Sequence, residues 1–167
     1  MKITYVFTFV LVFLVTPTAF AQPQPTAQQQ ELAAYITANY TKQETYITMR
    51  DGVRLYTAVY SPKNSAATVP ILLNRTPYSI APYGKDQFRQ ALGPNPLFAK
   101  EGYIFVYQDV RGRWMSEGTF VDVRPDIANT DKTKIDESTD TYATFDCLYT
   151  DVSDTTGKIE MHRRRKT

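Results

Sequence analysis

Two stretches of this chain, 69–73 (Val-Pro-Ile-Leu-Leu) and 103–110 (Tyr-Ile-Phe-Val-Tyr-Gln-Asp-Val), are apolar almost without interruption. A strand with one wet face alternates apolar and polar residues. A run without a polar face must be covered on both sides, as in a sheet between helices. Both stretches therefore read as buried strands. Upstream, 46–50 alternates, Asp51-Gly52 is a hairpin turn, and 53–60 forms the return strand, ended by Ser61-Pro62. A short helix is expected over 31–40, with Leu32, Tyr35 and Ile36 at helical spacing, and another over 96–101, closed by Gly102. Residues 82–96 read as loop. A longer helix follows Asp136 or Ser138 as its cap, with Tyr142, Phe145, Leu148, Tyr149 and Val152 on its apolar face. Thr156-Gly157 reads as a turn, and 158–162 begins another strand. A hairpin followed by strand, strand, helix and strand predicts an α/β fold whose sheet becomes parallel after the hairpin.

The start of the chain reads as an export address. Lys2 precedes an apolar run over 3–15, Pro17 breaks it, and Ala19-Phe20-Ala21 fits a small-x-small cleavage site. The division expected is a signal peptide at 1–21, a Gln- and Pro-rich flexible leader with a short helix at 22–43, and a folded part at 44–162. The destination is periplasmic or extracellular. The apolar run is too short for a stable membrane anchor. The net charge of +2 rests on Arg163, Arg164, Arg165 and Lys166, so no nucleic-acid surface is implied. The single cysteine, Cys147, excludes an intrachain disulfide and reads as an inert thiol among the apolar neighbours of its helix. The single histidine, His162, limits the catalytic chemistry on offer. No metal site and no cofactor are expected.

Asp109-Val110-Arg111-Gly112-Arg113 falls at the carboxyl end of the second buried strand, where open α/β sheets place their ligand sites. Asp109 and Arg111 read as substrate contacts or as a structural ion pair, with structure favoured and Asp136, Glu137 or Asp140 as partners for Arg111. Gly112 and Gly118 read as backbone turns, since no phosphate-loop spacing surrounds them. Trp114 is a pocket wall or plain packing, with packing favoured. Asp136-Glu137 is not a glycosidase pair, because adjacent side chains point apart.

Four stretches make the reading specific. They are Met49-Arg50-Asp51-Gly52-Val53-Arg54-Leu55, Arg75-Thr76-Pro77-Tyr78, the stretch from Gln108 to Gly112 with Ser116-Glu117-Gly118, and Asp136-Glu137 with Asp140-Thr141-Tyr142. In this order and spacing the chain resembles, over residues 39–161, the cocaine-esterase/X-Pro dipeptidyl-peptidase family of serine hydrolases. That family includes the α-amino-acid ester hydrolases and glutaryl-cephalosporin acylases. The resemblance implies an incomplete α/β-hydrolase fold: an N-terminal hairpin plus the first parallel strands of a mostly parallel sheet. It implies Ser-His-Asp acyl-transfer chemistry on a small-molecule ester or amide or a peptide. It also implies that the Tyr78 hydroxyl is one half of the oxyanion hole, a role a phenol fills without ionising.

The chain departs from the family after His162. There the family runs into Gly-x-Ser-Tyr-x-Gly, whereas residues 163–167 are Arg-Arg-Arg-Lys-Thr. The expectation is a fragment with an aberrant basic tail, without the catalytic Ser, His and Asp, inactive alone and prone to self-association through an open sheet edge. The alternatives are a non-catalytic secreted binding module and a subunit completed by a separate chain.

Overall fold

The computed structural model describes residues 24–64, 69–122, 134–151 and 155–161, the last of these as backbone. The expected signal peptide, His162, Val152 and the basic tail lie outside the described residues. The chain order is α1 (Ala27–Asn39), β1 (Tyr40–Thr48), β2 (Arg54–Pro62), β3 (Val69–Thr76), α2 (Pro96–Lys100), β4 (Ile104–Asp109), α3 (Glu137–Asp151) and β5 (Thr155–Met161). The strands form one sheet in the order β1-β2-β4-β3-β5. The β1–β2 and β2–β4 pairs are antiparallel; β4–β3 and β3–β5 are parallel. Among the described residues no helix is long and apolar enough to cross a membrane.

Both faces of the sheet are covered, as the two apolar runs require. One face buries Tyr56, Ala58, Tyr60, Leu72, Phe105 and Tyr107 beneath α1, α2 and the loop that follows β3. The other buries Leu55, Val59, Ile71, Leu73, Ile104 and Val106 beneath α3. Strand alternation assigns each residue to its face. β1 contributes to both faces: Tyr40 and Lys42 are buried on the first side and Ile47 on the second, where Met49, just past the strand, joins it.

Several boundaries differ from the sequence reading. Helix α1 starts at Ala27, inside the expected leader. Thr26 caps it, its side chain accepting from Gln29 N–H while the Gln29 side chain accepts from Thr26 N–H. That capping box supplies partners for two backbone donors and nucleates the turn ahead of the apolar residues. β1 follows at once and starts at Tyr40 rather than 46. Its inward side chains there are a tyrosine, a lysine and a glutamate, which hide the alternation. β5 starts at Thr155, so Thr156-Gly157 is not a turn. Its pairing instead slips between Val69↔Thr155 and Ile71↔Ile159, an irregularity that absorbs extra residues within the strand. α3 buries only part of the face expected of it. Leu148 is buried and Phe145 packs against the same core, but Tyr142 and Tyr149 are exposed while Asp140 and Thr144 are buried. The helix is turned so that the Asp140 carboxylate accepts from the buried Arg111 and the Thr144 hydroxyl donates to the buried Gln108 Oε1, groups whose desolvation without partners would cost about 1–3 kcal/mol each.

Candidate active site at the carboxyl end of the sheet

β3 and β4 are parallel neighbours whose exits diverge. The chain leaves β3 toward the α2 face and, beyond the loop after β4, reaches α3 on the opposite face. A crevice opens at the carboxyl end of such a pair, where ligands of open α/β sheets bind. Tyr78 lies just past β3, and the segment from Asp109 to Gly118 lies at and past β4.

Arg111 is the electrostatic centre of this end. Its side chain is 6% exposed. Nε and Nη2 donate to Asp140 at 2.9 and 2.7 Å, and Nη1 and Nη2 donate to Asp51 at 2.6 and 3.0 Å. Two forked carboxylates thus join the hairpin turn, the loop after β4 and helix α3. Of the three expected partners, Asp140 is realised. Asp136 instead caps α3, accepting from Thr139 N–H at 2.8 Å, and Glu137 lies 3.3 Å from Arg75. The expected Asp109–Arg111 pair is not made: Arg111 turns to the α3 side, and Asp109 turns to the loop after β3.

The Arg111 hydrogen bond holds the Asp51 carboxyl below its ordinary 3.8. A depressed folded-state value means that the contribution is present above the ordinary value and is lost as pH falls through the lower one. Between about pH 5 and about pH 2, the parent is therefore expected to lose melting temperature more steeply than Asp51→Asn. Parallel melting curves against pH would contradict this.

Beneath this end of the sheet runs a buried polar line that the apolar pattern conceals. Gln108 is 0% exposed. Its Nε2 donates to Thr57 Oγ1 at 3.0 Å, and its Oε1 accepts from Arg75 Nε at 2.8 Å, with the Thr144 hydroxyl 3.1 Å away. Arg75 Nη1 also donates to Thr141 Oγ1 at 2.5 Å and Glu137 O at 3.1 Å. This line ties β2, β3 and β4 to α3 at the level of the site.

On the opposite face, Asp109 ends β4 fully buried. Its Oδ1 accepts from Ile80 N–H at 3.0 Å and its Oδ2 from the Tyr83 hydroxyl at 2.8 Å. Burial pushes its carboxyl pKa up, against the lowering by these donors. Tyr78 is 63% exposed, and its N–H donates to Thr76 Oγ1 at 3.0 Å. Trp114 is also 63% exposed, so the packing role favoured for it is corrected. Its indole Nε1–H donates to Pro77 O at 3.0 Å, which holds the ring over the loop beside Tyr78 instead of in a core. Ser79 and Trp114 both have left-handed backbones, with φ of 73° and 50°. Gly112 serves a turn, as expected, with φ of 68°. Cys147 is half-buried against the α3-side core. Among the described residues no cluster of three or more His, Cys, Asp or Glu side chains is placed to hold a metal ion.

The sequence profile of X-Pro dipeptidyl-peptidase (S15 family) matches residues 51–162. The chain belongs to this family. Cocaine esterase from Rhodococcus sp. (strain MB1 Bresler) is 39% identical over 92 residues, which are 52% of this chain and 15% of that protein. The solved structure of an alpha-amino acid ester hydrolase matches with a TM-score of 0.61 at 35% identity, covering 90% of this chain and 24% of that one. An aminopeptidase from a marine sediment archaeon, Thaumarchaeota archaeon, matches with a TM-score of 0.64 at 30% identity, covering 88% and 23%. The sheet is thus part of an α/β-hydrolase fold, and this S15-family chain spans between 15% and 24% of the length of these three relatives.

Some members of the site were not singled out from sequence. The signal for Gln108 was present: an amide inside an apolar strand must find partners. Lys42 gave a similar signal, sitting two residues from Tyr40 on one side of β1. Its ammonium donates to Pro82 O, Gly84 O and Gln87 O at 2.7, 3.0 and 2.9 Å, pinning the far end of the Tyr78 loop. Asp51 reads from sequence as part of the turn and of the Met49–Leu55 stretch, and nothing local pairs it with Arg111, 60 residues on.

Proposed function

We propose that this segment belongs to a serine hydrolase of ester or amide bonds, in which Tyr78 donates its hydroxyl to the developing oxyanion. One observation carries the reading. Tyr78 stands exposed at the carboxyl end of β3, at the divergence of β3 and β4, on a loop fixed on both sides. A donor held by the fold needs no reorganisation as negative charge builds on the carbonyl oxygen, which favours the transition state over the ground state. The placement of β5 supports the same reading. It pairs in parallel with β3, Met161 opposite Leu73, so a nucleophile on a turn after β5 would arrive at the end of the sheet where Tyr78 stands. The steps would then be attack by the serine oxygen on the carbonyl, proton transfer through histidine to the leaving group, and hydrolysis of the acyl-enzyme. The 167-residue chain contains no Gly-x-Ser-x-Gly sequence and one histidine. Its own contribution is therefore the oxyanion donor and the platform beneath it.

The test is a hybrid in which residues 51–161 replace the matching segment of the alpha-amino acid ester hydrolase. Tyr78→Phe in that hybrid is expected to lower kcat by about 10²–10³ with KM little changed, the signature of an interaction made only in the transition state. An unchanged kcat in a hybrid that turns over ester would remove Tyr78 from the role.

A further inference from the structure

The Asp109 carboxylate is buried, yet the donors it accepts from are neutral. A carboxylate placed for stability alone would be paired with a cation, because an unneutralised buried charge is costly. Here the donors come from two different loops. Ile80 N–H and the Tyr83 hydroxyl belong to the loop after β3, and Met115 N–H, at 3.5 Å from Oδ2, belongs to the loop after β4. Because the Tyr83 hydroxyl directs its one proton at Asp109, the Ser79 hydroxyl, 3.0 Å from Tyr83 Oη, is the donor in that second contact. A chain of hydrogen bonds therefore runs from Ser79 through Tyr83 to Asp109. Ser79 is the residue after Tyr78, and its left-handed backbone is strained, so it persists only because its surroundings hold it there. Trp114, in the other tethered loop, is also left-handed and grips Pro77 O, the carbonyl just before Tyr78. Tyr78 is thus bracketed by two strained residues whose loops share one carboxylate.

We propose that Asp109 is a positioning residue for Tyr78: by tying the loop after β3 to the loop after β4, it sets where the Tyr78 hydroxyl stands above the sheet. The proposal rests on the reading of Tyr78 as oxyanion donor, but its test needs no turnover. Trp114 is the only tryptophan of the chain, so its emission reports this junction. The 167-residue chain, labelled with 3-fluorotyrosine, gives a ¹⁹F signal for Tyr78 that is assigned by its loss in Tyr78→Phe. Asp109→Asn keeps the shape, but its amide nitrogen cannot accept from Tyr83. Tyr83→Phe removes a single hydroxyl and keeps the ring. Each is expected to shift or broaden the Tyr78 signal and to raise quenching of Trp114 by acrylamide. The signal of Tyr142, exposed on α3, should stay in place. A merely structural role would lower the melting temperature and leave both signals at their parent values at ambient temperature. Parent-like Tyr78 and Trp114 signals in both variants would overturn the proposal. Should Asp109→Asn fail to fold, Tyr83→Phe alone decides. A Tyr78→Phe hybrid of undiminished kcat would remove the oxyanion reading while leaving this coupling measurable, so the two failures are distinct.

Discussion

Arg111→Met is expected to destabilise the protein by about 3–5 kcal/mol, read as a lowered urea midpoint at unchanged slope. The cost comes from what the substitution strands. Asp140 is 2% exposed, and both of its oxygens face the guanidinium. Without Arg111, that carboxylate must stay buried and unpaired, take up a proton, or pull α3 away from the sheet. Asp51 keeps about a third of its side chain in water and tolerates the loss better. The double variant Arg111→Met/Asp140→Leu separates these contributions. A buried pair is worth little against well-packed apolar residues of similar volume, because desolvation offsets most of its attraction. The second substitution should therefore restore much of what the first removes. A single variant that loses less than about 1 kcal/mol would refute the idea that this arginine locks the hairpin turn to α3.

Gly112→Ala is expected to cost about 2–4 kcal/mol, or to abolish folding, for two reasons that add. Its φ of 68° is a conformation that L side chains avoid. A methyl there would also run into the backbone of the returning loop, against Phe120 N and within 2.5 Å of Thr119 C. Backbone cannot swing aside as the end of a side chain can, so the loop that carries Trp114 must move as a whole. Gly52 isolates the first contribution. Its φ is 85°, but a methyl there meets nothing within 4 Å. Gly52→Ala should cost only about 1 kcal/mol, the conformational part. Equal melting temperatures for the two alanine variants would show that the crowding at Gly112 is relieved at no cost.

Part of this structure is legible because it depends on short stretches of chain. The runs 69–73 and 103–110 are apolar on both faces, so they had to be interior strands. Asp51-Gly52 had to turn, because glycine alone adopts its backbone there freely. The short helix closed by Gly102 is local in the same way. The site is less local. Asp109 and Arg111 are two residues apart, yet they leave β4 toward opposite faces of the sheet, one to Tyr83 and the other to Asp140 and Asp51. Adjacency in the chain suggests a pair, and a continued strand would have kept both side chains on one face, but β4 ends at Asp109 and the turn that follows carries Arg111 to the other face. The exposed Tyr142 and Tyr149 show a related effect on α3, where Leu148 faces the core as its hydrophobicity predicts but the bonds of Asp140 to Arg111 and of Thr144 to Gln108 turn the helix away from the two tyrosines.

Local sequence therefore sets which segments are interior and where the backbone bends, since burial and torsion preferences act within a few residues. The partners of Asp109, Arg111, Gln108 and Lys42 come from as far as 60 residues away. Which of them meet is settled only when strands pair and helices dock, because the energy of a buried charge or amide depends on every donor and acceptor that packing brings within about 3 Å.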